Sequence, residues 1–151
     1  GFAFVGPYLS LDVHFAIGNF IRDGIRGGPI RVKGDGTPYR SYLYAADLAI
    51  WLWTILFQGV SCRPYNVGSD KNISIRDLAA VLTDAFGEEL DVLIEEPTIL
   101  GRPAERYVPA TSRAIIELRL KENIALSQAI RRTIDWNLQL RWRKSVLERE
   151  I

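Results

Sequence analysis

The residues of this sequence best suited to chemistry are Arg40, Arg102 and Arg106, each set in a glycine- or proline-rich stretch. A guanidinium is planar and permanently charged, and from a loop close to a ligand it grips phosphate oxygens through paired N–H donors. Each of the three also has an ordinary reading as surface charge. His14 has the chemistry of a general base, but it sits beside Phe15 in an apolar stretch with only Asp12 to orient it. It reads as a packing or surface histidine. Asp12, Asp35, Asp47, Glu95 and Glu96 fall in no acid–base spacing, and solvation, turns or capping account for them.

Several chemistries are absent. There is no G-x-G-x-x-G and no G-x-x-x-x-G-K-[ST] loop, and the nearest stretch, Gly24 to Gly28, follows a helical pattern instead of opening one. No Tyr is followed four residues later by Lys, the spacing that sets an ammonium beside a phenol on one helix face and lowers its pKa. A lone Cys62 and the single histidine exclude a disulfide framework and a metal-ligand cluster and fit a reducing, cytoplasmic setting. With 19 basic against 18 acidic residues, net charge +1, no broad field draws the chain to nucleic acid or to an anionic membrane. Any anion it binds must be held locally.

The elements that have to position these arginines follow from periodicity. Gly1 to Val5 reads as a strand ended by Gly6-Pro7, and Leu11 to Ile25 as an amphipathic helix ended by Gly27-Gly28-Pro29. Pro29 to Lys33 is β-prone, Gly34 to Pro38 is a turn presenting Arg40, and Tyr42 to Tyr44 is a short strand. Ala45 to Phe57 is apolar almost all round and reads as a buried helix. Its run from Leu48 to Phe57 has roughly half the length of a bilayer span. Arg63 to Val67 reads as a strand, Ser74 caps a helix through Phe86 ended by Gly87, and Leu90 to Glu95 is a strand. A loop over Pro97 to Pro109 precedes a helix capped at Thr111 or Ser112 and a last helix from Ser127 to about Arg149. Strands separated by helices make this an α/β chain. It opens on Gly1 in an apolar strand and holds no Met, which reads as an internal fragment.

Taken in order, several segments resemble the second half of the extended short-chain dehydrogenase/reductases of the NAD-dependent epimerase/dehydratase family, which includes nucleotide-sugar epimerases, dTDP-glucose 4,6-dehydratases and UDP-glucuronate decarboxylases. Phe2 to Pro7 is similar to F-N-x-Y-G-P. The stretch from Pro29 through Gly36 to Arg40-Ser41-Tyr42-Leu43-Tyr44-Ala45-Ala46-Asp47 resembles P-x-x-Y-G-D-G followed by R-[DS]-[FWY]-[IL]-[YH]-V-x-D. Tyr65 to Gly68 with Ser74-Ile75 looks like Y-N-[IL]-G and its helix cap. Gly101-Arg102-Pro103 with Arg106-Tyr107 and Ser112-Arg113-Ala114 resembles R-P-G-D…R-Y-x-x-D-x-S-K-A, and Ile130 to Trp136 the terminal helix. The resemblance covers nearly the whole chain, and the order and gaps carry it.

The resemblance implies the last strands of a Rossmann-type sheet plus a small mixed α/β substrate-binding lobe, with residues 1–151 as the C-terminal nucleotide-sugar-binding portion. It implies an intact enzyme that uses NAD, held mainly by an upstream half, to oxidise a sugar at C4 before epimerisation, dehydration or decarboxylation; the fragment alone is expected to be inactive and to need no cofactor. A nucleoside-diphosphate sugar is the implied partner. Arg40 and Arg102 would clamp the diphosphate, with Arg106 and Tyr107 flanking the second position. Val32 and Lys33 match positions that line the base, Phe15 to Asn19 match the helix start near the sugar, and Ser74 joins the substrate-binding set. Two charge-assisted contacts at about 1.5–3 kcal/mol each supply a large share of micromolar binding. Ala3, Lys33 and Ala110 stand where the family has Asn, an aromatic and Asp, so sugar and base preference do not transfer. A non-catalytic dinucleotide or nucleotide-sugar sensor of the same fold is the rival reading. The C-terminal helix, with Arg131, Arg132, Arg141, Arg143 and Lys144 beside Trp136 and Trp142, reads as a solvated amphipathic helix rather than a nucleic-acid surface. The first strand and the helix over Leu48 to Phe57 are expected to expose apolar surface or to self-associate into a homo-oligomer.

Overall fold

The computed structural model describes residues 1–13, 15–87, 90–99 and 101–147, so the readings placed on His14 and on Arg149 lie outside the described residues. The chain is mixed α/β, with short strands in three small sheets and five helices among the described residues. Strand β1 (Phe4–Val5) leads into helix α1 (Ala16–Ile25), followed by β2 (Ile30–Val32), β3 (Tyr39–Arg40), β4 (Leu43–Tyr44) and helix α2 (Ala45–Gln58). Then come β5 (Ile73–Ser74), α3 (Ile75–Phe86), β6 (Val92–Ile94), β7 (Arg106–Tyr107), α4 (Ser112–Leu118) and α5 (Leu126–Leu147). β1 pairs with β4 and β2 with β6, both parallel, while β3 is central between antiparallel β5 and parallel β7.

Helix α1 starts later than the periodicity predicts. The chain at Ser10 folds back across the helix, so close that a Cβ on Gly18 would lie 2.8 Å from the Ser10 carbonyl oxygen. The preceding residues therefore cannot continue the helix. Ile17, Phe20 and Ile21 of α1 enter the main core with Leu78, Ala79 and Leu82 of α3 and Ile130 and Ile134 of α5. Phe86 fills the notch over Gly24, where any added Cβ would fall 2.1 Å from its ring. Helix α3 begins as expected: Ser74 Oγ accepts from Asp77 N at 3.0 Å, and Gly87 ends it in the left-handed region at φ 68°.

Other expectations need correction. Arg63 to Val67 forms no strand: Val67 O accepts from Phe2 N at 2.9 Å, but the segment's other ties to distant residues run through side chains, such as Asn66 Nδ2 to Ala110 O and Arg113 Nη1 to Pro64 O, and build no ladder. The stretch over 97–109 is not all loop, since Arg106–Tyr107 pairs with β3. Helix α5 starts at Leu126, ahead of the predicted Ser127 cap. Thr111 stands at the N-cap of α4, yet its hydroxyl makes no capping bond and is buried without a partner.

The largest correction concerns α2, which is not buried. It packs on β1, β4 and α4 through one face, with only Asp47 and Trp51 fully inside. Asp47 is 1% exposed, and its carboxylate accepts from Asn123 N at 3.0 Å, Asn123 Nδ2 at 2.8 Å and Ile124 N at 3.0 Å. Trp51 Nε1 donates to Lys121 O at 3.1 Å. These bonds fasten α2 to the segment that delivers α5. On its outer face Ile50, Trp53, Leu56 and Phe57 stand in solvent, Trp53 61% and Phe57 75% exposed with their rings stacked at 5.6 Å. Apolar surface on this helix is thus present as anticipated.

Asp47→Ala strips two backbone N–H groups of their acceptor and is expected to cost about 2–4 kcal/mol in urea unfolding. A loss below about 0.5 kcal/mol would mean that the 121–124 segment holds itself. Phe57→Lys is expected to lower the binding of an apolar fluorescent dye while leaving the melting temperature unchanged; equal dye signals would place the accessible apolar surface elsewhere.

Candidate functional site

The sheet β5-β3-β7 is where the sequence-predicted residues gather. Tyr39 is paired with Ser74 on one side and Arg106 on the other, and Arg40 with Ile73 and Tyr107. Successive residues of a strand point to opposite faces, so this register sorts the side chains into two sets. On one face the Arg106 guanidinium lies 4.5 Å from the Tyr39 ring centroid, and Ser74 keeps its hydroxyl on Asp77, 2.6 Å from Oδ2. On the other face stand Arg40 and Tyr107, whose ring meets Phe2 at 4.8 Å. Arg40 and Arg106 therefore leave the sheet on opposite faces.

Arg40 is held at two points: Nη1 donates to Tyr39 O at 2.9 Å and Nη2 to Glu105 Oε2 at 2.8 Å. Arg102 lies in the loop before β7, its N–H bonded to Ile99 O at 3.3 Å, and its charge reaches both Glu105 and Asp35. Arg40 holds the Glu105 carboxyl below the usual range by hydrogen bond and charge, with Arg102 adding to it. Asp35 is lowered chiefly by the Thr37 backbone N–H at 3.0 Å and by the Thr37 hydroxyl at 2.8 Å, then by Arg102. Burial pushes the Tyr42 phenol up to about 12, against a small opposing pull from Arg40.

Next to this sheet, α1, β2 and the turn after β2 enclose a cavity of about 700 Å³. Asn19, Val32 and Lys33 line it, as do Pro38, one residue before β3, and Ile75, one residue after β5. The site thus has two adjoining parts: a cavity with Asn19, Val32 and Lys33, and a charged sheet face with Arg40, Tyr107 and, from its loop, Arg102. Arg106 and Ser74 face away from Arg40.

Two residues of this region were missed by the sequence reading. Arg22 sits in the cavity wall, with Nη2 2.9 Å from Asp23 Oδ1 and Nη1 3.4 Å from Asp12 Oδ1 and 3.3 Å from Asn19 Oδ1. Its pKa is raised, first by the hydrogen bond to Asp23. The signal was its position three residues after Asn19, on the same helix face. Glu105 was the other; an acid inside an arginine-bearing loop is the cue.

The described residues do not fit the pyrophosphate of a dinucleotide. No strand among them runs through a glycine-rich loop into a helix N-terminus; Gly27 and Gly28, at φ 90° and 74°, follow the C-terminal end of α1, where the dipole repels an anion. No group of three or more metal-ligating side chains occurs among them, and none of their helices is long and apolar enough to cross a membrane.

Residues 2–68 match the family model described as NAD dependent epimerase/dehydratase family. The chain is 31% identical over 114 residues to a dTDP-glucose 4,6-dehydratase from Streptomyces antibioticus, covering 76% of this chain and 33% of that protein. It is 28% identical over 129 residues to UDP-glucuronic acid decarboxylase 1 of Arabidopsis thaliana, covering 85% of this chain and 29% of that protein. Its fold is similar to that of the Bacillus cereus UDP-glucuronic acid 4-epimerase solved with UDP-glucuronic acid and NAD, with TM-score 0.76 and 22% identity over 92% of this chain and 44% of that one. The chain spans a third or less of the curated relatives' length.

Tyr42 is raised, so the stability it contributes is complete below about pH 10 and is lost as pH climbs toward 12. Ultraviolet titration is expected to find a late-ionising phenol that Tyr42→Phe removes; an unchanged titration curve in Tyr42→Phe would contradict its burial.

Proposed function

We propose that this chain, which belongs to the NAD-dependent epimerase/dehydratase family, serves as the nucleotide-sugar-binding portion of such an enzyme. The observation that carries the reading is the placement of Arg40: fixed in the middle of a three-stranded sheet, it lies two residues beyond Pro38, which lines the cavity shared by Asn19, Val32 and Lys33. A nucleoside-diphosphate sugar has the matching make-up, with a base and sugar to fill a cavity and a doubly charged linker for a guanidinium.

In this reading Arg40 and Arg102 take the diphosphate. Asn19, Val32 and Lys33 line the space for the nucleoside and sugar. Asn19 has its carbonyl turned to Arg22, which leaves its amide N–H groups to donate. Arg106, stacked on Tyr39 behind the sheet, and Ser74, spent on its cap, hold the strands that carry Arg40. The C4 oxidation of the sugar, the NAD it uses and the later epimerisation, dehydration or decarboxylation are assigned to the intact enzyme. The part played by these residues is substrate grip.

Calorimetry with UDP-glucose, UDP-glucuronic acid and dTDP-glucose tests this. Arg40→Ala is expected to weaken the best of them by about tenfold to a hundredfold, the worth of a charge-assisted hydrogen bond. Arg106→Ala is expected to change affinity by less than about threefold. Equal binding by wild type and Arg40→Ala would remove Arg40 from the role.

A further inference from the structure

We propose that Glu105 sets how tightly Arg40 takes a diphosphate, by occupying that guanidinium until the ligand displaces it; this rests on the reading of Arg40 as the diphosphate contact. Glu105 stands 65 residues from Arg40 in sequence, yet the fold builds the pair in. Tyr39 N donates to Glu105 O at 2.7 Å, and the parallel register continues through Tyr39 opposite Arg106 and Arg40 opposite Tyr107. Glu105 and Tyr107, two residues apart on β7 and its approach, point to the face that Arg40 occupies. The carboxylate is therefore delivered to the guanidinium by the sheet.

The two partners differ in freedom. The Arg40 side chain is 26% exposed and keeps a second bond to Tyr39 O, whereas that of Glu105 is 72% exposed. Glu105 is thus the partner free to swing away while Arg40 stays. Around them the charges cancel: Arg40 and Arg102 face Glu105 and Asp35, and Arg106 is screened behind the sheet on Tyr39. An arriving anion meets little net attraction until Glu105 gives up Arg40. A diphosphate, with two charges and several acceptor oxygens, replaces one carboxylate; a singly charged anion gains nothing by the exchange. Glu105 is in this sense a positioning and selectivity residue acting through Arg40.

The test is calorimetry of the full chain with UDP-glucose and dTDP-glucose, whose diphosphate keeps both charges down to low pH. Glu105→Gln preserves an acceptor for Arg40 and removes the competing charge, so affinity is expected to rise about twofold to fivefold, the worth of an exposed ion pair. In an Arg40→Ala background the same substitution is expected to have no effect. A second arm needs no substitution: because Arg40 holds this carboxyl below the usual carboxylate range, wild-type affinity is expected to rise only once pH falls below that range and the carboxyl takes up a proton, while Glu105→Gln stays level there. Weaker binding by Glu105→Gln, or a level wild-type profile, would overturn the proposal while leaving Arg40 as the diphosphate contact. An unchanged affinity in Arg40→Ala, or no binding of either sugar nucleotide, would overturn that underlying reading and the proposal with it.

Discussion

The site depends on a strand of two residues. Tyr39 and Arg40 are hydrogen-bonded into a sheet on both edges, and because adjacent side chains of a strand take opposite faces, that short stretch separates two chemistries. Behind it, Tyr39 stacks with Arg106 and abuts the capped start of α3; in front, Arg40 meets Glu105, and Tyr107 packs on Phe2. A shift of register by one residue would put Tyr39 in front and turn the guanidinium of Arg40 into the packed side. Pairing on both edges is what prevents the slip.

That sheet is anchored in turn through the chain on its C-terminal side. Ser41 to Tyr44 is buried, and β4 runs without a loop into α2, whose Asp47 fastens to Asn123 and Ile124. A buried carboxylate is costly unless its oxygens are filled, and here two backbone N–H groups and an amide fill them. The chain from Arg40 to α5 is thereby linked through one acid. The outer face of α2 contributes nothing to this linkage, which is consistent with its apolar residues standing in solvent.

Electrostatically, the arginines of the site are largely paired with acids. Arg22 is satisfied by Asp12 and Asp23, Arg40 by Glu105, and Arg102 acts on Glu105 and Asp35. This local pairing matches the near-zero net charge of the chain. In the proposed exchange of partners, the orientation of the donors counts for more than the overall field.

The α/β class, the α3 cap at Ser74 and the β-prone run before the Gly34 to Pro38 turn were legible because each is set by neighbours in sequence: a hydroxyl three residues from an N–H, glycines at positive φ, an apolar period. The resemblance to the family was legible in the same way, from short motifs in order. Other features were decided only by tertiary structure. The start of α1 follows from a backbone crossing at Gly18, and the loss of a strand at Arg63 to Val67 from the lack of a paired neighbour. The exposure of α2 depends on how few elements cover it, a property that composition does not contain. So too for the arginines. Their type and loop setting marked Arg40, Arg102 and Arg106 alike, but which of them stands in front of the sheet and which behind it is decided by strand register, and register is fixed by hydrogen bonds between residues some 65 positions apart.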